Sequence, residues 1–455
     1  MLFSRKDLLK IVIPLIIQQV LAVLIGMIDS VMVSSVSEAA VSGVSLVGSL
    51  DMVLILLFSS LVAGGSVVVS QALGKGKREL VLNSSKQLIY VATAMALFVS
   101  VTVLIFRVPL LNLLFGDADA DVMGHARKYF FFMALSFPFL AVENAGAALL
   151  RSMGKTGASM GISVFMNLLN VAGNALMIYV FHLEAMGAAV ATLFARIVGA
   201  VISMILLHNK KNPVYVEKLF HYRPDFGVIK RILRIGVPSG VESCMFQFGK
   251  LMTQSLISSM GTTAIAGNAV AMSLVNFQYM PGTAIGLAIV TVVGRCIGAG
   301  ELGQAKKYSR ILLFSTYACL WFVNLTMVLL ADPIIGIYHT SAETAGLIRF
   351  LLLTHSAVGS LIWPVAFTTP HIFRSASDVR FSMIVSVSSM WVFRVALGYV
   401  LSLESVSLFG LEIPGLGFGV SGVWMAMYVD WVFRAVLFGI RYFTGRWIQR
   451  YKAAA

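Results

Sequence analysis

Twelve apolar runs of about 20 residues or more follow one another along this chain, near 9–33, 48–73, 87–107, 128–150, 157–181, 185–207, 233–258, 270–294, 309–331, 347–370, 382–403 and 418–440. Few folds are open to such a sequence. In a hydrocarbon layer the backbone must satisfy its own hydrogen bonds, and a run of this length does so as a helix. Only 12% of the 455 residues are charged, against about 25% in soluble domains. The expected fold is an all-α membrane protein with twelve transmembrane helices. The first run begins at Leu8, exceeds the apolar core of a secretory signal and has no small-residue cleavage site after it, so it reads as a retained helix.

The net charge of +14 could suggest nucleic acid, but its distribution argues otherwise. Alternate loops, starting with the N-terminus and including the 6–7 loop from Lys210 to Arg234 and the C-terminus, hold 26 of the Lys and Arg residues. The opposite loops hold 4 (Arg107, Arg127, Lys128 and Arg349), and 4 more (Arg196, Lys250, Arg394 and Arg434) fall inside spans. Basic loops stay in the cytoplasm. Both termini are therefore expected inside a prokaryotic plasma (inner) membrane, and no nucleic-acid partner is expected.

Sliding the sequence along itself by 224 residues aligns the first and seventh spans without a gap. Pro14 meets Pro238, Ser34-Ser35 meets Ser258-Ser259, Gly43 meets Gly267, and Gly74 and Gly76 meet Gly298 and Gly300. Farther on, "LLRSMGKTG" from Leu149 matches "IFRSASDVR" from Ile372 at an offset of 223, setting Arg151 against Arg374. The chain reads as two pseudo-symmetric six-helix lobes, 1–207 and 233–452, joined by a charged cytoplasmic loop at 208–232, with 453–455 as a trivial tail or cloning scar. Six is an even number, so both lobes share one orientation, as in transporters that rock two halves about a central site.

Polar side chains inside the spans are the candidates for function. A carboxylate at mid-membrane costs roughly 2.5–3.5 kcal/mol on insertion scales, so it is usually turned inward and used. Asp29 lies in span 1, Asp51 near the start of span 2 and Glu143 in span 4. In span 5, Asn167, Asn170 and Asn174 recur at i, i+3 and i+7 and so share one helix face. Thr192 and Arg196 are one turn apart in span 6. Asn and Thr oxygens can steady a protonatable carboxylate or coordinate a small cation; equally, the asparagines can serve as hydrogen-bonding glue between helices. The second lobe carries Glu242, Gln247 and Lys250 in span 7, Arg394 in span 11, and Asp430 and Arg434 in span 12. Asp430 and Arg434 stand at i, i+4 and can pair. Glu242 could draw in a cationic substrate or neutralise a base.

Other chemistry is hard to place. Cys244, Cys296 and Cys319 lie in or beside apolar runs without metal-ligand or disulfide-framework spacing. No GxxxxGK[ST] loop is present, so a driving force from ATP within this chain is not expected. Neither clustered histidines nor paired carboxylates mark one membrane face, which argues against a membrane enzyme. No cofactor is expected beyond a coupling ion.

The chain resembles the multidrug and toxic compound extrusion (MATE) family. The residues that carry the resemblance are "IPLIIQQVLAVLIGMIDSVMVSSVSEAAVSGVSL", "QALGKGKREL", "ALLRSMGKTGASM" and "GVPSGVES…LISSMGTTAIAGNAVAMSL". It implies a secondary active antiporter that exports organic cations or amphipathic compounds, drugs or toxins among them, in exchange for H⁺ or Na⁺. It further implies that Asp29, Asn170, Asn174 and Thr192 form the cation/proton-coupling cluster. Asp51, Glu143, Arg196, Glu242, Gln247 and Lys250 are candidates for the substrate cavity. Many members have an aspartate where this chain has Asn174, which disfavours Na⁺ at Asp29, since hard cations favour carboxylate oxygens. The span-7 acid, Glu242, falls about one turn before the family position, which Phe246 occupies. The protein is expected to act as a monomer among membrane lipids. Its basic residues keep a rival in view, a lipid-linked saccharide flippase of the same superfamily.

Overall fold

A computed structural model describes residues 2–116, 118–216, 223–408 and 411–454. The first half of the chain forms α1 (Arg5–Ser34), α2 (Glu38–Gly74), α3 (Arg78–Phe115), α4 (Ala120–Ser152), α5 (Thr156–Ala175), continued by a π-helical turn (Leu176–Val180), and α6 (Glu184–His208). The second half opens with α7 (Phe226–Ser258), α8 (Thr262–Gly298), α9 (Leu302–Leu329) and a short α10 (Ala331–Gly336). Next, α11 (Ala342–Trp363) runs through a π-turn (Pro364–Thr368) into α12 (Thr369–Ser375), and α13 (Val379–Ser389) runs through another (Met390–Ala396) into α14 (Leu397–Ser402). A hairpin, β1 (Ser405–Leu408) and β2 (Leu411–Pro414), precedes α15 (Gly419–Phe443) and α16 (Arg446–Ala454).

Eleven helical runs among the described residues are long and apolar enough to cross a membrane. The twelfth, α7, has 33 residues but is less apolar, because Glu242, Gln247, Lys250 and Gln254 interrupt it. Helices outreach the apolar runs that announce them: the 48–73 run lies within α2, which starts ten residues earlier, where the Ser37 side chain accepts from the Ala40 N–H. At the start of α7, Asp225 Oδ1 accepts from the Gly227 and Val228 N–H groups at 3.0 and 3.1 Å, and Oδ2 from Asn83 at 2.6 Å. The Val228 bond and then Asn83 hold this carboxyl below its ordinary pKa. Between the runs 382–403 and 418–440, Ser405–Leu408 and Leu411–Pro414 pair as an antiparallel hairpin. Toward the C-terminus, α16 runs on through Ala454.

Local geometry repeats along the chain as the sequence does. Gly76 and Gly300 adopt left-handed φ angles of 68° and 77° at corresponding turns, a conformation that suits a residue without Cβ. Gly154 and Ser377 do so at the other pair of turns, with φ 80° and 61°. The hydrogen bonds match residue for residue: Gly154 N–H donates to Arg151 O and Lys155 N–H to Leu150 O, while Ser377 N–H donates to Arg374 O and Asp378 N–H to Phe373 O. Such closures satisfy carbonyls at a helix end.

The chain divides into two compact units, Met1–Gly240 with Gly294–Glu301, and Val241–Val293 with Leu302–Ala455. In unit 1, α4 packs against α2, α3 and α6, and α5 against α1 and α6. The start of α7 and the end of α8 join this unit through glycine. A Cβ on Gly64 would stand 2.6 Å from Gly236 N, and one on Gly74 would collide with the Arg295 carbonyl. Small residues let membrane helices approach this closely. Gly74→Ala is therefore expected to cost about 1–3 kcal/mol of stability through overpacking, read as a lower midpoint in thermal unfolding of the purified protein. In unit 2, α15 packs against α11, α13, α14 and both π-turns, around a core that includes Trp363, Trp424 and Trp431.

Candidate functional site

The asparagine stripe of α5 turns inward. Asn170 and Asn174 are buried at 8% and 2% exposure, and Asn167 is half-buried. Asn170 Nδ2 donates to Thr192 Oγ1 at 3.0 Å, and Asn174 Nδ2 reaches Asn170 Oδ1 at 3.5 Å. Thr192 Oγ1 in turn donates to the Ala188 carbonyl at 2.9 Å. The three side chains thus form a hydrogen-bonded run from α5 to α6 that can present oxygens to a neighbouring group.

The neighbour is α1. The side chain of Asp29 lies outside the described residues, but the helix that carries it is placed at both ends. Gln18 Nε2 donates to Ser163 Oγ at 2.7 Å, and Ser35 Oγ lies 2.8 Å from the Tyr179 hydroxyl. The two helices run in parallel, and eleven residues beyond Gln18 and Ser163 stand Asp29 and Asn174. One turn on, Met32 packs with Ile178 and Ala188. Asp29 therefore belongs to the stretch of α1 level with the asparagines.

The remaining polar candidates of unit 1 tie helices together. Arg196 Nη2 lies 3.6 Å from Asp51 Oδ2, and Arg196 Nη1 donates to Ser136 Oγ at 2.6 Å. These contacts join α2, α4 and α6, so Asp51 and Arg196 are engaged with each other. Glu143, at 4% exposure, feels the charges of Arg151 and Arg196. With Met166 it fills the space where a Cβ on Gly199 would sit, one helical turn along α5 from Asn170.

Unit 2 contains a cavity of about 160 Å³ whose lining includes Glu242, Phe367, His371, Arg374 and Arg434. Glu242 neutralises a base: its Oε2 accepts from Arg374 Nη2 at 3.2 Å. Sequence reasoning missed this partner, although the repeat had already singled out Arg374. Asp430 and Arg434 pair as their spacing foretold, at 2.7 Å, with Ser389 Oγ 2.5 Å from the same carboxylate oxygen and 2.8 Å from Arg434 Nε. Gln247 and Lys250 lie half-buried on α7. Aromatic rings line up nearby: Phe246 meets Phe367 edge-on, Phe367 stacks with Trp363, and Trp363 stacks with Tyr279. Tyr279 bonds the buried His355, whose other ring nitrogen lies 3.0 Å from Gln278 Oε1. An amide oxygen only accepts, so that nitrogen carries the proton and the imidazole can be neutral. No spacing rule marks such a network, because its members come from separate helices.

Known proteins resemble this chain over its length. The MatE family model matches it twice, at residues 14–176 and 238–400, two stretches set 224 residues apart. The chain is 27% identical to the uncharacterized transporter YisQ of Bacillus subtilis, with 96% of this chain and 94% of that protein covered. It is 28% identical to the probable multidrug resistance protein NorM of Thermotoga maritima, with 98% and 94% covered. A solved outward-facing structure of a multidrug resistance MATE family transporter of the MOP superfamily matches with a TM-score of 0.87 at 20% identity, covering 98% of this chain and 96% of that one.

Proposed function

The chain belongs to the MatE family of multi-pass membrane transporters, and we propose that it exports organic cations or amphipathic compounds in exchange for H⁺ or, less readily, Na⁺. One observation carries the reading: the run of Asn174, Asn170 and Thr192 beside the stretch of α1 that bears Asp29. A carboxylate there would alternate between ionised and protonated states. Ionised, it accepts from the amide groups of the run; protonated, it donates to their oxygens. The two hydrogen-bond patterns favour different packings of α1, α5 and α6. Proton and cargo then compete, because any effect of one on the affinity for the other is reciprocal.

H⁺ suits this cluster better than Na⁺. Amide and hydroxyl oxygens supply weaker fields than a second carboxylate would, and Na⁺ is a hard cation. The cargo is small molecules, as the names of the relatives imply, which favours export over the saccharide-lipid flippase. The setting is a prokaryotic plasma membrane with both termini cytoplasmic, and the protein works as a monomer among its lipids.

Everted vesicles with Na⁺ and pH gradients imposed separately test the proposal. A pH gradient alone should drive efflux of a cationic dye, and a Na⁺ gradient at constant pH should drive little. Efflux that follows Na⁺ alone would reverse the choice of ion. Dye movement that ignores both gradients would end the antiport reading.

A further inference from the structure

Unit 2 buries more positive charge than its carboxylates neutralise. Its buried acids among the described residues are Glu242, Asp378 and Asp430, and each is taken. Glu242 holds Arg374 at 3.2 Å, Asp378 holds Arg441 at 2.6 Å and Asp430 holds Arg434 at 2.7 Å. Lys250 on α7 and Arg394 in the π-turn Met390–Ala396 are left over. Neither side chain has a hydrogen-bond or ion-pair partner among the described residues; Arg394 feels the charge of Asp430, but that carboxylate is held by Arg434. Arg394 is only 3% exposed, and its Nε is buried without an acceptor.

Both cations face one ring. Lys250 Nζ and the Arg394 guanidinium carbon each lie 5.6 Å from the centre of Phe246, and Arg434 lies 5.1 Å from it. One aromatic ring approached by three cations is a weak substitute for a counter-ion. Two desolvated like charges with no anion between them form a site that a bound anion would complete.

The duplication reaches the same place independently. At the 224-residue spacing of the two family matches, Asn170 corresponds to Arg394, Asp29 to Thr253 and Gly26 to Lys250. The offset is 223 at the preceding turn and 224 where the matches end, and the π-turn between them has room for the extra residue. Such turns occur often at functional sites. The second copy of the cluster has therefore exchanged a carboxylate and an amide for a hydroxyl and two cations.

We propose that Lys250 and Arg394 form an anion-binding site, with Phe246 as its floor. Its ligand is the carboxylate, sulfonate or phosphate head of an aromatic amphipath, whose rings would find Phe246 and Phe367 beside the charges. The cargo of this transporter thereby extends to organic anions and zwitterions. Only the word cargo rests on the export reading; the binding does not.

Calorimetry on the purified full chain in phosphatidylcholine nanodiscs, with empty discs subtracted, tests the site using two matched ions, 1-naphthalenesulfonate and 1-naphthylmethylammonium. The sulfonate should bind about ten-fold tighter or better. Lys250→Met should bring the ratio close to one, Lys250→Arg should restore it, and Arg394→Met provides a second variant. Equal or tighter binding of the ammonium ion by the unaltered protein, or a ratio that survives Lys250→Met, overturns the proposal. Loss of sulfonate binding in discs doped with phosphatidylglycerol would give the site to lipid phosphate and overturn the assignment to cargo. The ratio is read at equilibrium with no gradient and no transport, so failure of the export reading and failure of this site are distinguishable.

Discussion

Asp29→Asn will reduce gradient-driven dye efflux by about 5- to 150-fold, the span of typical coupling free energies between two ligands, while the protein still accumulates in the membrane. The amide has nearly the same shape as the carboxyl group and still forms hydrogen bonds. It cannot take up and release a proton. The loss should therefore fall on coupling, whereas an alanine at this position would combine lost coupling with lost packing. Asp29 has its place on α1 level with Asn174 and near the bonded pair Asn170 and Thr192, and the expected loss rests on that place. Efflux by Asp29→Asn at the rate of the unaltered protein, measured in everted vesicles at equal abundance, would remove the carboxyl group from the mechanism. Asn174→Asp offers the converse, because a second carboxylate next to the first should raise the response to a Na⁺ gradient.

The second large effect is on stability. Asp430→Ala should destabilise the protein by about 3–5 kcal/mol, the usual result of removing one partner from a buried ion pair. Asp430 is fully buried and Arg434 is 2% exposed. Arg434 donates to Asp430 and Ser389 and to the Ser386 carbonyl at 3.0 Å, while its guanidinium carbon lies 5.1 Å from the centre of Phe246 and 5.4 Å from that of Phe367. Without Asp430 the guanidinium would become a third uncompensated cation around one ring. The double variant Asp430→Leu with Arg434→Met should recover most of the loss, since matched apolar groups remove the charge and its partner together. Thermal unfolding of the three proteins decides the matter: a double variant less stable than Asp430→Ala would show that the pair contributes more than mutual neutralisation.

Much of this architecture was legible in the residues. Apolar runs mark spans because lipid penalises an unsatisfied backbone wherever it occurs. The offset of 224 was visible in Pro14 and Pro238 and in Gly76 and Gly300, and the turns at Gly154 and Ser377 repeat it in hydrogen bonds. The stripe of Asn170 and Asn174 could be read because i, i+3, i+4 and i+7 neighbours share a face by helix geometry alone. Asp430 and Arg434 could be paired for the same reason.

What stayed hidden has one cause in each case. The 405–414 hairpin depends on two short strands finding each other, and the π-turns depend on one extra residue being taken up inside a helix. Glu242 could have faced any of several bases; only packing brings Arg374 to it. By itself the sequence determined that the chain is an all-helical membrane protein built as two related halves, because those properties follow from local periodicity and from solvation by lipid. Which charges neutralise one another, and which two cations are left facing Phe246, was decided by tertiary structure alone, since electrostatic energy depends on distances across helices that are remote in the chain.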